Sequence, residues 1–267
     1  GVPEGVEPLT PAQVARREVS FRFHLKGERV ERVEAVDRHG RPATNHSFAA
    51  YLERGDSERP FRRECRWEYH RDEQGMLARE AALDRTGQTV WSFRYTTRTT
   101  GHYADKRGFP RPRAGSGAAY VSFVFSEDGL AKEIRYQGAT GEARPDRNGI
   151  FGQRHEHDKR GFVSGITFLG HGDQPVLHPD GYAREERKHD ERGNRIVTAY
   201  HGLDASPVLG PGGYARKTAS YDADGNPTEV RAFGLDGNPV RRREGYALER
   251  RSHDGEGRLV RVAYFDT

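Results

Sequence analysis

GYAREERKHDERGNRIVTAYHGLDASPV, residues 181–208, is the stretch that decides the fold. Ala183 to His189 reads as one extended segment, Asp190 to Asn194 carries the Asx and Gly-Asn chemistry of a tight turn, and Ile196 to Tyr200 reads as the returning segment. The expectation is a β-hairpin, followed by a loop from Gly202 through Pro207 that leads to the next unit.

The same grammar recurs on either side. Gly181-Tyr182-Ala183, Gly213-Tyr214-Ala215 and Gly245-Tyr246-Ala247 are 32 residues apart, and the same step backwards reaches Gly149-Ile150-Phe151 and Gly117-Ala118-Ala119. Asp158, Asp190, Asp222 and Asp254 keep that spacing, each with a glycine three residues on; Ser126 and Gly129 stand there one unit earlier. Pro175, Pro207 and Pro239, each followed by valine, form a third series. Markers in one register are the signature of a repeat architecture, in which each unit buries only a stripe against its neighbours.

Alternation picks out the buried side of the second segment. One register reads Ile134, Ile166, Thr198, Val230 and Val262, and the register two residues on reads Tyr136, Phe168, Tyr200, Ala232 and Tyr264. Glu133, Val197, Glu229 and Arg261 fall between them on the solvent side. Burying one such side chain contributes about 1.5–3 kcal/mol, so an isolated hairpin gains too little and several must associate. The fold class expected is mostly β: tandem antiparallel β-hairpin repeats of 32-residue period forming an elongated sheet or solenoid-like array, with a small α-containing N-terminal cap.

Upstream the grammar weakens. Cys65, Trp67 and Tyr69 alternate into a turn ending at Gly75, and Gly75 to Gly87 repeats the 12-residue separation of Gly225 to Gly237. Thr10-Pro11 before AQVARRE reads as the N-cap and first position of a short helix, Phe21, Phe23 and Leu25 as a strand, and Val33 through Pro42 as another divergent unit. The resulting division is a cap at 1–60 covering the first edge of the array, a divergent repeat at 61–95, an insertion loop at 96–116, and an array at 117–267 with units 117–148, 149–180, 181–212, 213–244 and 245–267.

Composition fits a thin core: 33% of the 267 residues are hydrophobic, with 32 glycines and 14 prolines for frequent turns, and the mean hydropathy is −0.95. Two Trp, 12 Tyr and 13 Phe argue against disorder. The net charge of +4 comes from interspersed signs, with Asp recurring among Arg, which argues against a dedicated nucleic-acid module. No apolar run has the length of a membrane span. Cys65 is the single cysteine, so no intrachain disulfide is expected and a cytoplasmic location fits. A start at Gly1 instead of Met points to a processed product or a piece of something larger.

The turns HDERGNRIVTAY and YDADGNPTEV resemble YD repeats, the RHS-type units built on a Tyr-Asp pair, a Gly-Asn or Gly-Arg turn and an extended segment. The resemblance covers the turn and second strand of about five units; the 32-residue period and the Gly-Tyr-Ala element depart from it. The chain is also similar to C-terminal β-repeat regions that accompany kinase or caspase-like domains in large bacterial signalling and defence proteins. That likeness implies a sensor, docking or substrate-like segment rather than an enzyme.

No catalytic, cofactor-binding or metal-binding motif is read from the sequence. His155-Glu156-His157-Asp158 has ligand types suited to zinc or iron, but His157 falls in register with His189, Tyr221 and His253 and so belongs to the repeat. One Asp per 32 residues cannot supply the six to eight oxygens of a calcium site. Cys65 alternates with Trp67 and Tyr69 as an inert apolar residue, and Gly115-Ser116-Gly117 lacks the lysine of a phosphate loop. The binding candidate is the insertion, with His102, Tyr103, Lys106, Arg107, Phe109, Arg111 and Arg113. A basic and aromatic set of this kind suits an acidic peptide, a sugar or a single-stranded nucleic acid. The first expectation is a non-enzymatic scaffold with an unidentified protein partner and no cofactor. The alternatives are a carbohydrate or cell-surface binding module, an RHS-like shell fragment, or nucleic-acid binding. The oligomeric state is not encoded in any motif.

Overall fold

The computed structural model describes residues 8–44, 63–113 and 116–267. These residues carry one short helix, α1 (Pro11–Ala15), and sixteen strands. The strands are β1 (Ser20–Lys26), β2 (Arg29–Val36), β3 (Glu64–Arg71), β4 (Leu77–Asp84), β5 (Thr89–Tyr95), β6 (Thr100–Ala104), β7 (Tyr120–Phe125) and β8 (Ala131–Gln137). They continue as β9 (Gly152–His157), β10 (Val163–Leu169), β11 (Arg184–His189), β12 (Arg195–His201), β13 (Arg216–Tyr221), β14 (Pro227–Phe233), β15 (Leu248–His253) and β16 (Leu259–Phe265). The sheet order is the chain order, β1 to β16, and the mostly-β antiparallel class read from the sequence holds. Of the described residues, those within Val19–Ser126 and Glu133–Gly152 form an N-terminal unit, and those within Gly1–Glu18, Glu127–Lys132 and Gln153–Thr267 form a C-terminal unit.

In the C-terminal unit the hairpin expected at 183–200 is β11 and β12, paired from Arg184↔His201 to His189↔Arg195. β13 with β14 and β15 with β16 repeat that register, 32 and 64 residues on. One hydrogen-bonded turn is used three times per repeat. The amide of its first residue donates to the carbonyl four residues on, and the amide of its fourth donates back to the carbonyl of the first, as at Asp190, Gly202 and Gly210. The fourth residue must adopt positive φ, and Gly193 and Gly213 do so without a Cβ penalty. Ala205 takes the same conformation at φ 63° with its Cβ present. In the first turn Asp190 adds a side-chain clamp, its Oδ1 accepting the amides of Arg192 and Asn194 at 3.0 and 2.8 Å.

The stretch read as a loop from Gly202 to Pro207 is therefore one turn closed by a bridge, His201↔Pro207, between strand end and proline, and a second turn, Gly210–Tyr214, follows it. The second of these turns delivers the Gly-Tyr-Ala element. Ala215 is buried and links the flanking strands, donating to the Phe233 carbonyl at 2.9 Å and accepting from Tyr200 at 3.0 Å. Tyr182 packs edge-on against Tyr200 with ring centroids 4.8 Å apart, and Tyr246 lies 4.4 Å from Tyr264. Tyr182 and Tyr246 thus each cover an inner tyrosine on the second strand of the hairpin that follows.

In the N-terminal unit β1 with β2, β3 with β4, and β5 with β6 are the paired hairpins. The core gathers Val33, Ala35, Cys65, Trp67 and Ala82, flanked by Val19, Phe21, Phe23, Val30, Tyr69 and Trp91. Trp67 is 1% exposed.

The irregularity between 61 and 116 differs from the insertion expected there. Thr100–Ala104 is strand β6, its partner β5 is joined to it through Thr96–Thr99, and the bridge Ala104↔Pro110 matches His201↔Pro207. β5 and β6 are an ordinary hairpin whose first turn is built by threonines instead of Asp-x-x-Gly: Thr96 donates to the Thr100 carbonyl at 2.9 Å, and Thr97 Oγ1 accepts the Thr99 and Thr100 amides. The change lies earlier in the chain. Residues 202–215 join β12 to β13, whereas only 85–88 join β4 to β5, with the Asp84 turn standing in for both later turns. The period is broken by a shortened connection. Residues 45–60 of the expected cap, 61–62 of the divergent repeat and 114–115 of the expected insertion lie outside the described residues.

Candidate functional site

The seven candidate binding residues fall into two groups. His102 and Tyr103 sit on β6 and not on a loop. Tyr103 is 8% exposed, with centroid distances of 5.1 Å to Phe93 and 6.3 Å to Trp91. Arg113 serves that cluster: its Nη1 donates to Tyr103 Oη at 3.1 Å and its guanidinium stacks over the Trp91 and Tyr103 rings. His102 is half-buried and tilts against Tyr120 at 5.7 Å. These three residues build the hairpin, and a sugar cannot stack on Tyr103.

Lys106, Arg107, Phe109 and Arg111 form an exposed set on and after the turn Asp105–Gly108. The turn is held closely. Asp105 Oδ1 accepts the Arg107 amide at 2.8 Å and the Phe109 amide at 3.0 Å, and Asp105 accepts the Gly108 amide on its carbonyl at 3.0 Å. Desolvation raises the Asp105 carboxyl, but the amides of Phe109, Arg107 and Gly108 outweigh it and hold the group below its usual range. Gly108 has φ 93°, and the Arg94 guanidinium lies beneath it, so a Cβ there would meet Arg94 at 2.9 Å.

Phe109 is 66% exposed on this rigid support. In the matching place of the other turns that follow a second strand stand Arg41, Gln88, Glu142, Gln174, Ser206 and Asn238, all polar. Among the described residues no salt bridge is formed by Lys106, Arg107 or Arg111. The arrangement offers an exposed apolar ring with three cationic residues on the same turn and its exit, above the Asp105 carboxylate and the His102 imidazole, whose Nε2 lies 3.4 Å from the Gly108 carbonyl.

The other candidates take places in the scaffold. His155 is buried with Nε2 3.1 Å from Gln153 Oε1, and burial lowers the His157 pKa while Asp158 opposes it. Asp158 is a turn clamp, accepting the Arg160 and Phe162 amides at 3.0 Å each. Cys65 is buried and its thiol pKa is raised by desolvation, the reverse of an activated nucleophile. Ser116 Oγ accepts the Ala118 amide at 3.3 Å and its carbonyl accepts Arg147. No helix among the described residues is long and apolar enough to cross a membrane.

No protein-family model matches the chain, and no curated protein matches it. Solved structures resemble it weakly. TcdB2-TccC3 without its hypervariable C-terminal region aligns at 13% identity over 91% of this chain, with a TM-score of 0.35. TcdB2-TccC3-TEV aligns at 13% identity over 91%, with 0.37, and the Photorhabdus luminescens Tc holotoxin pore at 12% over 91%, with 0.36. The chain spans 11–12% of the length of those chains, and at such TM-scores the likeness bears on neither fold nor function.

Proposed function

We propose that this chain is a non-enzymatic, YD-like β-repeat scaffold that docks a protein partner within a bacterial signalling or defence system. The turn at 105–111 is the recognition point. The observation that supports this reading is Phe109, an exposed aromatic ring on a hydrogen-bonded turn, flanked by Lys106, Arg107 and Arg111, at a position that is polar in the sister turns. Exposed aromatic and arginine side chains held rigidly are the usual anchors of binding surfaces, because little conformational freedom is lost when they are covered. Three cations around the ring select a partner segment that combines carboxylates with an apolar residue.

The test uses the full chain against an array of acidic peptides with and without an aromatic residue, beside glycans and single-stranded oligonucleotides. Binding to acidic-aromatic peptides that drops at least tenfold in Phe109→Ala and again in the triple variant Lys106→Glu, Arg107→Glu, Arg111→Glu is the expected result. Retention of glycans or oligonucleotides alone, or peptide binding indifferent to these substitutions, overturns it.

A further inference from the structure

Residues 8–18 belong to the C-terminal unit although more than 200 residues of chain separate them from the strands they meet. Thr10 caps α1 by accepting the Gln13 amide on its hydroxyl, and Gln13 Oε1 accepts the Thr10 amide at 2.8 Å. Beyond the helix, Arg16, Arg17 and Glu18 run across the first turns of the hairpins β11–β12, β13–β14 and β15–β16.

Asn226 closes the middle turn, is 2% exposed, and holds the segment by its backbone. Its Oδ1 accepts the Glu18 amide at 2.9 Å and its Nδ2 donates to the Arg16 carbonyl at 3.0 Å. A second bond from Nδ2 to Asp222 Oδ2 at 3.1 Å fixes the amide's orientation. Arg16 Nε lies 3.2 Å from Asp224 Oδ1. Burial lowers the Arg17 pKa while Asp224, Asp222 and Asp190 act to hold the charge, and Arg192 opposes them. Glu18 faces His253 at 3.4 Å.

Glycines make the seat. A Cβ at Gly225 would collide with the Arg17 guanidinium, and one at Gly257 with the Arg16 carbonyl. Glycine is needed at both for positive φ, so the turn's own conformation also clears the path of the segment. Two backbone bonds, a basic pair read by aspartates from successive turns and a terminal acid facing a histidine together amount to sequence recognition.

We propose that the first-turn edge of the last three hairpins is a docking groove for an Arg-Arg-Glu segment that follows a single helical turn, and that residues 8–18 fill it as a detachable strap. The Arg16–Asp224 pair is part-exposed and weakens with salt, the Asn226 bonds do not, and α1 buries no residue, so the segment opens locally without unfolding the strands. A tethered strap acts at an effective concentration in the millimolar range for a short flexible connection. A free peptide of the same sequence therefore binds only after the strap is dislodged. This proposal is independent of the Phe109 turn.

The experiment is done on the full chain. A fluorescent peptide PLTPAQVARRE, the sequence of residues 8–18, is titrated into the wild type and into Arg16→Glu/Arg17→Glu, with hydrogen exchange reporting whether residues 12–18 are released. Release of the segment in the variant, peptide affinity at least tenfold above the wild type, and loss of that affinity when Asn226→Ala is added are the expected results. Unchanged protection of residues 12–18 in the variant, equal peptide binding to both chains, or a released strap with no peptide bound would each overturn the proposal. Weaker binding at 0.5 M salt, where the Debye length falls below the about 10 Å of 0.1 M toward the about 3 Å of 1 M, supports the charge reading; salt-independent binding rejects it.

Discussion

Trp67 in the N-terminal unit and Glu185 in the C-terminal unit occupy the same place, five residues before the first residue of the hairpin turn, and both are buried. The whole series divides in this way. Trp67, Trp91 and Val121 fill that place in β3, β5 and β7, whereas Gln153, Glu185, Lys217 and Glu249 fill it in β9, β11, β13 and β15. Two residues on, Tyr69, Phe93 and Phe123 give way to His155, Arg187, Ala219 and Arg251. In the N-terminal unit the first strands are held by aromatic packing; in the C-terminal unit each buried acid is matched to a base on its own strand. Glu185 accepts from Arg187 at 2.7 Å, and Glu249 accepts from Arg251 at 2.6 Å and Arg242 at 3.2 Å. The backbone ladder and turns are common to both, so the inner face tolerates opposite chemistries provided every charge finds a partner.

The sharpest way to break the comparison is one substitution on each side. Trp67→Ala removes the largest buried ring and is expected to cost about 3–5 kcal/mol, read by urea denaturation. Glu185→Ala deprives Arg187 of its 2.7 Å partner, and a similar loss of about 3–5 kcal/mol is expected. The two sites separate in the paired replacement. Glu185→Leu with Arg187→Met should recover most of that loss, because desolvation of both charges disappears with them while Arg195, 3.7 Å from Glu185, loses a carboxylate partner. A double replacement as damaging as Glu185→Ala would show that the pair holds the fold by more than mutual compensation.

Acid provides a graded test. Burial, followed by the neighbouring Arg195, lowers the His189 pKa from 6.5 to about 4. The folded state therefore keeps this ring neutral where the unfolded chain has already taken up a proton. Its contribution to stability is complete above about pH 6.5, declines as pH falls, and is fully lost near pH 4. His189→Phe, which retains the stack on Phe162 at 5.1 Å, should flatten the pH dependence of the denaturation midpoint across that window. An unaltered slope would place the acid sensitivity elsewhere.

The smallest effect belongs to the turns. Ala205→Gly relieves a left-handed alanine at φ 63°, and a gain of about 0.5–1 kcal/mol is expected after the entropy cost of the glycine. Thermal denaturation of the variant beside Gly237→Ala, its counterpart one repeat on, should give shifts of opposite sign.

The hairpins were readable where side chains alternate, as in Ile196 to Tyr200, and the first turns where Asp and Gly are fixed. The later turns were not, because they open on Gly202 and Gly210 and one closes on Ala205, so the same geometry is written in different residues. Threonines at 96–100 hid the β5–β6 turn for the same reason, and with it the strand positions of His102 and Tyr103. The sequence REERKH in β11 has no apolar residue at all, so nothing local marks Glu185 and Arg187 as inner residues at 3% and 2% exposure. Their burial is imposed by the neighbouring strands. The Asn226 seat joins residues more than 200 apart and leaves no periodic trace. Of the candidate site, the exposed Lys106, Arg107, Phe109 and Arg111 were legible as a polar-aromatic segment, but the division between surface and framework was not.

The shortened connection between β4 and β5 has an evolutionary reading. The double turn of a repeat can be reduced to a single turn while the strands on either side remain paired, so the hairpin is the heritable module and the double turn an editable spacer. Related chains would then vary most in the spacing between hairpins, and a search tuned to fixed periodicity would overlook members that share every strand.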